Sequence, residues 1–195
     1  DWSSDVCSSD LADFTVLSVD WGDLSTSTAG LTISGSAGSY AVNGTHLYAE
    51  EGTYNFTIVV QDDGGKTATI TGSTTVGDAN LTGSSAAVAT GGVEGVTVAT
   101  LGNATFTDSN PGDHTGDFTA VIHWGDSSTS SGLVSYSAGV YSVDGTHLYA
   151  EEGNYNITID VSDDGGQIAS ISGSTSVADA NLTAGTFTPP AAQEG

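Results

Sequence analysis

Positive charge is almost missing from this sequence. Its 195 residues carry one basic side chain, Lys66, against 24 acidic ones, a formal net charge of −23. Nucleic-acid binding rests on Lys and Arg neutralising phosphates, and anionic lipid surfaces are held in the same way. Both partner classes are therefore excluded. Cysteine occurs once, as Cys7, which rules out an internal disulfide. No apolar run approaches the roughly 20 residues of a membrane-spanning helix, so no membrane insertion is expected of these residues. The N-terminus shows neither the basic region nor the apolar core of a signal peptide. Residues 5–11, Asp-Val-Cys-Ser-Ser-Asp-Leu, back-translate into the end of a common sequencing adaptor. Residues 1–11 are accordingly read as a non-native leader and set aside from the fold.

What the chain does have is Gly, Ser, Thr and Val, a composition of short strands and turns. It also has a repeat. Between residues 44–65 and 145–166, 18 of 22 positions are identical at a constant offset of 101. A repeat of this period defines a module and has to be settled before individual elements are assigned. The chain divides into residues 12–82, a repeat lacking its leading segment; 83–183, a complete repeat; and 184–195, the start of a third.

Within each copy the apolar residues alternate. Phe118, Ala120, Ile122 and Trp124 share one face of a strand, and Tyr155, Ile157, Ile159 and Val161 share one face of another. In the first copy Trp21, Val19 and Leu17 keep this register, and one extra residue before them predicts a β-bulge that returns Phe14 to the core face. Asn43-Gly44 and Asp144-Gly145 read as turn dipeptides, and Asp62-Asp63-Gly64-Gly65 and Asp163-Asp164-Gly165-Gly166 as hairpin tips. A last strand follows, with Ile168, Ile171 and Val177, and in the first copy with Ile70 and Val76. The fold class is all-β, a tandem of immunoglobulin-like sandwiches of about 100 residues each.

Three motifs recur in order: Trp-Gly-Asp at 21–23 and 124–126, His-Leu-Tyr at 46–48 and 147–149, and Gly-x-Tyr ending at Tyr54 and Tyr155. Trp21 and Trp124 are read as core residues, since burying an indole removes about 150–250 Å² from water. Tyr54 and Tyr155 have the placing of a tyrosine corner, with the hydroxyl on upstream backbone. His46 and His147 lack a second His or Cys at zinc spacing and are read as packed, hydrogen-bonded residues. Glu50-Glu51 and Glu151-Glu152 are adjacent along the chain, whereas a glycosidase needs two carboxyls facing one cleft. No nucleophile, base and oxyanion donor occur together, so no enzyme is expected. Asp108, Asn110, Asp113 and Asp126 gather hard oxygen ligands of the type calcium takes.

The same ordered motifs, present twice, resemble the polycystic-kidney-disease (PKD) domain family over nearly all of residues 12–183. The resemblance implies a seven-stranded sandwich from the extracellular parts of large proteins, in bacteria commonly in tandem as stalks, adhesin segments or spacers beside hydrolases. It also implies a calcium site in some members near the Gly-Asp turn, here Asp23 and Asp126. The family often shows Gly-Asp-Gly where this chain has Gly-Asp-Leu24 and Gly-Asp-Ser127. The expected function is a structural, spacer or adhesion module of a secreted or cell-surface bacterial repeat protein, with neighbouring repeats as its partners. The alternative is an accessory module of a secreted hydrolase that grips polysaccharide or extracellular protein, using Tyr40, Tyr136 or Tyr141. A flat exposed stripe of those rings would favour the alternative, and their burial would disfavour it.

Overall fold

A computed structural model describes residues 11–194. Cys7 and the proposed leader lie outside them, apart from Leu11, which opens a single 3₁₀ turn, Leu11–Asp13. The chain forms two compact units, residues 1–79 and 80–195.

The first unit contains β1 (Phe14–Asp20), β2 (Thr32–Ser36), β3 (Ser39–Asn43), β4 (Gly52–Asp62) and β5 (Thr67–Val76). Its sheets are a three-stranded one, in the order β1-β4-β5, and a β2-β3 hairpin. The second unit has β6 (Leu81–Gly83), β7 (Ala87–Thr90), β8 (Ala99–Gly102), β9 (Thr105–Asp108), β10 (Thr119–His123), β11 (Thr129–Ser137), β12 (Val140–Asp144), β13 (Thr146–His147), β14 (Gly153–Ser162) and β15 (Ile168–Val177). These ten strands form one ladder in the order β13-β8-β7-β15-β14-β10-β11-β12-β9-β6. The ladder closes into an immunoglobulin-like sandwich because β11 serves both layers. Its first half, Thr129–Gly132, pairs with β10, and its second half, Leu133–Ser137, pairs with β12. Strands that change sheets in this way make the corners of a sandwich.

The core of the second unit lies between the layers. Ile122, Trp124, Ile159, Val161 and Ile171 have no measurable exposure, and Phe106, Tyr141, Val143 and Tyr149 are nearly as deep. β7 joins β15 in parallel, Gly173 to Thr175 against Ala87 to Ala89. The buried Thr175 hydroxyl donates to the Ala89 carbonyl at 2.7 Å, so this polar group does not stay unpaired in the core.

The alternation in the sequence is realised, with three local differences. The bulge in β1 falls between Val16 and Ser18. It ejects Leu17, which is 55% exposed, and gives its core position to Val16. Asn43-Gly44 and Asp144-Gly145 end strands without forming a hairpin tip. The tips are Ala37-Gly38 and Ala138-Gly139, with both residues at positive φ. That is the backbone a two-residue hairpin loop needs to match strand twist. In β15 the realised inner face runs through Ala169, Ile171, Thr175 and Val177, with Ile168 67% exposed. Leu81 and Thr82, read as the end of the first repeat, lie in β6, which pairs with β9 of the second unit.

Trp124→Ala is expected to destabilise the second unit by ~3–5 kcal/mol, the cost of a large cavity in a closed core. Trp21→Ala should cost less, because the Trp21 indole borders an open groove and its surroundings relax more easily. Urea unfolding of the two variants of the full chain checks both; equal losses would contradict the difference in packing.

Candidate functional site

The recurring motifs converge at one place in each unit, the loop after the Trp strand. In the second unit the Trp124 amide donates to the Ser128 carbonyl at 3.1 Å, and the Trp21 amide meets the Ser25 carbonyl at 3.2 Å. Gly125 sits at φ 86, and a Cβ there would run into the Asn156 backbone. Only glycine meets both demands. The residue after the Asp also adopts left-handed φ, 75° at Ser127 and 71° at Leu24. This accounts for the glycine commonly found at that position in the resembling family. Here two L-residues bear the strain, and Leu24 does so while almost fully exposed.

The carboxylate in the loop is satisfied from three sides. Asp126 Oδ1 accepts the Ser128 amide at 3.0 Å and the Ser128 hydroxyl at 2.5 Å. Asp126 Oδ2 lies 2.7 Å from His147 Nε2. Partial burial pushes the carboxyl up, but the Ser128 hydroxyl, the His147 ring and the Ser128 amide outweigh it and bring it from 3.8 down to about 2. Asp126 is therefore ionised and accepts only, so His147 Nε2 must carry the proton it donates. Asp23, Ser25 and His46 repeat the arrangement, with contacts of 2.9, 2.6 and 2.7 Å. There the His46 ring and then the Ser25 hydroxyl hold Asp23 well below the usual carboxylate range.

Ser, His and Asp together invite comparison with a hydrolytic triad. A triad places the acid on one imidazole nitrogen and the nucleophile on the other. Here Ser128 Oγ, at 3.1 Å, and Asp126 Oδ2 meet the same nitrogen, Nε2. The Ser128 hydroxyl proton already points to Asp126 Oδ1. His147 has no route to remove it, and the hydroxyl is not activated. The constellation ties a strained loop to β13.

Four rings stack behind it. Trp124 and His147 lie 5.2 Å apart at 16°, His147 meets Tyr149 edge-on at 4.5 Å, and Tyr149 stacks on Tyr155 at 4.4 Å. Trp21, His46, Tyr48 and Tyr54 repeat this ladder at 4.7, 4.5 and 4.3 Å. Such pairs contribute about 0.5–1.5 kcal/mol beyond area burial. Each polar tip is used. The Tyr149 hydroxyl donates to the Trp124 carbonyl at 2.9 Å and Tyr48 to the Trp21 carbonyl at 3.1 Å. Tyr155 donates to Glu151 and Tyr54 to Glu50, both at 3.0 Å. Trp124 Nε1 donates to Ser130 Oγ at 3.0 Å. Burial, with the Asp126 charge nearby, pushes the Tyr149 phenol up to about 12. The roles of Tyr48 and Tyr149 escaped the sequence reading, although both sit in the recurring His-Leu-Tyr.

The acidic residues are distributed differently from the sequence expectation. The carboxylates of Asp108, Asp113 and Asp126 do not form a set with oxygens within 4.8 Å of one another. Asp108 caps the Asn110 amide, Asp113 the Thr115 amide, and Asp126 serves the loop just described. Asn110 lies in the same connection as Asp108 and Asp113. This connection is anchored by Tyr141, whose hydroxyl donates to the Gly112 carbonyl and accepts the His114 amide, both at 3.0 Å. One group that does converge within the second unit is Glu94, Glu151 and Glu152. Glu94 Oε2 accepts the Glu152 amide at 2.8 Å and Oε1 the Ala180 amide at 3.3 Å. A hydrogen bond between the Glu152 and Glu94 carboxyls raises the pKa of Glu152 and lowers that of Glu94. Glu94 stands 58 residues from Glu152, so no local spacing announced the pair. Tyr141 is 1% exposed, stacked on Phe106 at 4.9 Å, and Tyr136 and Tyr40 are half-buried. The three rings do not make a flat exposed stripe.

No family model matches the chain, and no curated protein matches it. Among solved structures it is similar to the PKD domain of an M14-like peptidase from the Thermoplasmatales archaeon SCGC AB-540-F20, at 20% identity and TM-score 0.30, covering 52% of this chain and 94% of that one. It is similar to fibronectin(III)-like modules of Clostridium thermocellum CbhA, at 16% identity and TM-score 0.32, covering 94% and 87%. A third likeness is to protocadherin gamma B2 extracellular cadherin domains 3–6, at 16% identity and TM-score 0.38, covering 85% of this chain and 41% of that one.

Two outcomes follow from the loop. Ser127→Gly relieves a left-handed L-residue, worth about 1–2 kcal/mol, against the greater unfolded-state entropy of glycine. A net gain of ~0.5–1 kcal/mol in urea unfolding is expected, and a loss would contradict the strain. The depressed Asp126 pKa contributes stability that is full above 3.8 and is lost as pH falls through about 2. The stability difference between wild type and Asp126→Asn should therefore be largest near neutrality and close across that acid window. A difference independent of pH would show that the charge is not what holds the loop.

Proposed function

We propose that this chain is a non-catalytic structural segment, a spacer or adhesion stretch, of a large extracellular bacterial repeat protein of the PKD-like kind. One observation carries the reading. In both units the residues with chemical potential, Asp126, Ser128, His147, Tyr149 and Tyr155 and their counterparts, spend their hydrogen bonds on the loop and strand ends of their own module. A site built for a substrate leaves donors, acceptors or an activated nucleophile directed at a cavity. Tyr141 is buried and Tyr40 and Tyr136 are half-buried, which weighs against the polysaccharide-gripping alternative. The resemblance in the ordered motifs supports placement outside the cell. A net charge of −23 keeps neighbouring chains apart in such a setting.

A mechanical role predicts cooperative resistance. In single-molecule stretching of the full chain held by its ends, the second unit should open in one discrete event. The released length should be on the order of 300 Å, from about 3.3–3.6 Å per extended residue. Gradual extension with no discrete event would overturn the mechanical reading.

A further inference from the structure

The same residues, at the same offset of 101, are closed over in one unit and open in the other. Ile171 and Tyr141 have at most 1% exposure, whereas their counterpart Ile70 is 39% exposed and Tyr40 is half-buried. In the first unit Trp21, Tyr40, Val42, Phe56, Ile58 and Ile70 line an open, mainly apolar groove of about 630 Å³. In the second unit that face is covered by β7, β8 and β9 through Ala87, Ala89, Leu101 and Phe106. Among the described residues the first unit has no such strands, and β5 pairs only with β4.

We infer that the groove and the open edge of β5 form an acceptor for the leading strands of a repeat, supplied by a segment outside residues 11–79. The occupant is an extended, near-neutral polypeptide with the make-up of Ser84–Asp108. That stretch alternates small apolar residues and carries only Glu94 and Asp108 as charges, so it approaches an acidic chain with little repulsion. The docking geometry is printed in the second unit. β7 adds in parallel at Gly173–Thr175, and a Cβ on Gly173 would overlap Ala87, whose own Cβ would lie 2.7 Å away. The first unit keeps this acceptor as Gly72, Ser73 and Thr74. Thr74 lines the groove where Thr175 donates to the incoming Ala89 carbonyl. One residue differs: Phe56 replaces Ile157, and its ring leans over Gly72 into the space Ala87 would take. Docking turns that ring aside. Strand addition to an open edge draws its affinity from main-chain hydrogen bonds and its specificity from alternate side chains in pockets.

This inference does not require the spacer reading. The test adds a labelled peptide of sequence Ser84–Asp108 to the full chain, with a scrambled peptide as control. Expected are saturable one-to-one binding and new amide-exchange protection at Gly72–Thr74. Phe56→Ile, which installs the residue of the complete unit, should tighten binding several-fold. Adding Gly72→Val to that variant should abolish it, and circular dichroism of both variants verifies the fold. Absence of saturable binding overturns the inference. So does equal binding of the scrambled peptide, protection confined to the second unit, or binding that survives Gly72→Val.

Discussion

The hydrogen bond between a loop carboxylate and a histidine two strands later is the constraint on which each module depends. Asp126 and His147 are 2.7 Å apart, as are Asp23 and His46. The bond fixes the imidazole face-on to the indole of the same loop, and the ring then fixes the first phenol of the ladder edge-on. It also sets where β13 can lie. Loss of the Asp–His bond would leave a polar ring against the core and a strained loop without its tether. Each of those groups would then need another partner, at about 1–3 kcal/mol for every polar group left buried and unpaired.

Much of the fold was legible because strands write their burial into every second residue. Phe118 to Trp124 and Tyr155 to Val161 could be placed on a core face from the text alone, and so could the repeat that links them to their earlier copies. The misplacements share a cause. Leu17 and the Asn-Gly and Asp-Gly pairs were judged by residue type within a short window. Their true positions depend on which strand lies opposite. The bulge ejects Leu17 because β4 pairs on both sides of it, and Asn43 ends its strand opposite Thr32, so the hairpin turns elsewhere.

The polar network was less legible for a related reason. Hydrogen bonds of a loop follow from its dihedral angles, and left-handed backbone at Leu24 and Ser127 is not what those side chains suggest. The family resemblance held the only hint, a glycine expected where neither residue is glycine. Glu94 was invisible for a simpler reason: its partners Glu152 and Ala180 lie 58 and 86 residues away. No spacing rule reaches that far. Tyr141 was one of three candidate rings for a gripping surface, yet a phenol in an alternating strand serves equally well as a core residue whose hydroxyl anchors a loop, and Gly112 and His114 show that it does.

The two units separate what is local in this architecture from what is not. The ring ladder and the loop lock need only residues 21–54 or their counterparts 124–155, and both are complete in the first unit although its core face is open. Burial of Ile171, Thr175 and Tyr141 needs β7 to β9, which arrive from the far end of the module. The polar lock closes short loops, which cost little closure entropy, and the lid closes longer ones, which cost more. The apolar face is completed by the strands with the longest reach. The module thus divides into a polar half held by local contacts and an apolar half whose burial depends on distant strands. Gly72, small and at the edge, has the same place in the open unit that Gly173 has in the closed one.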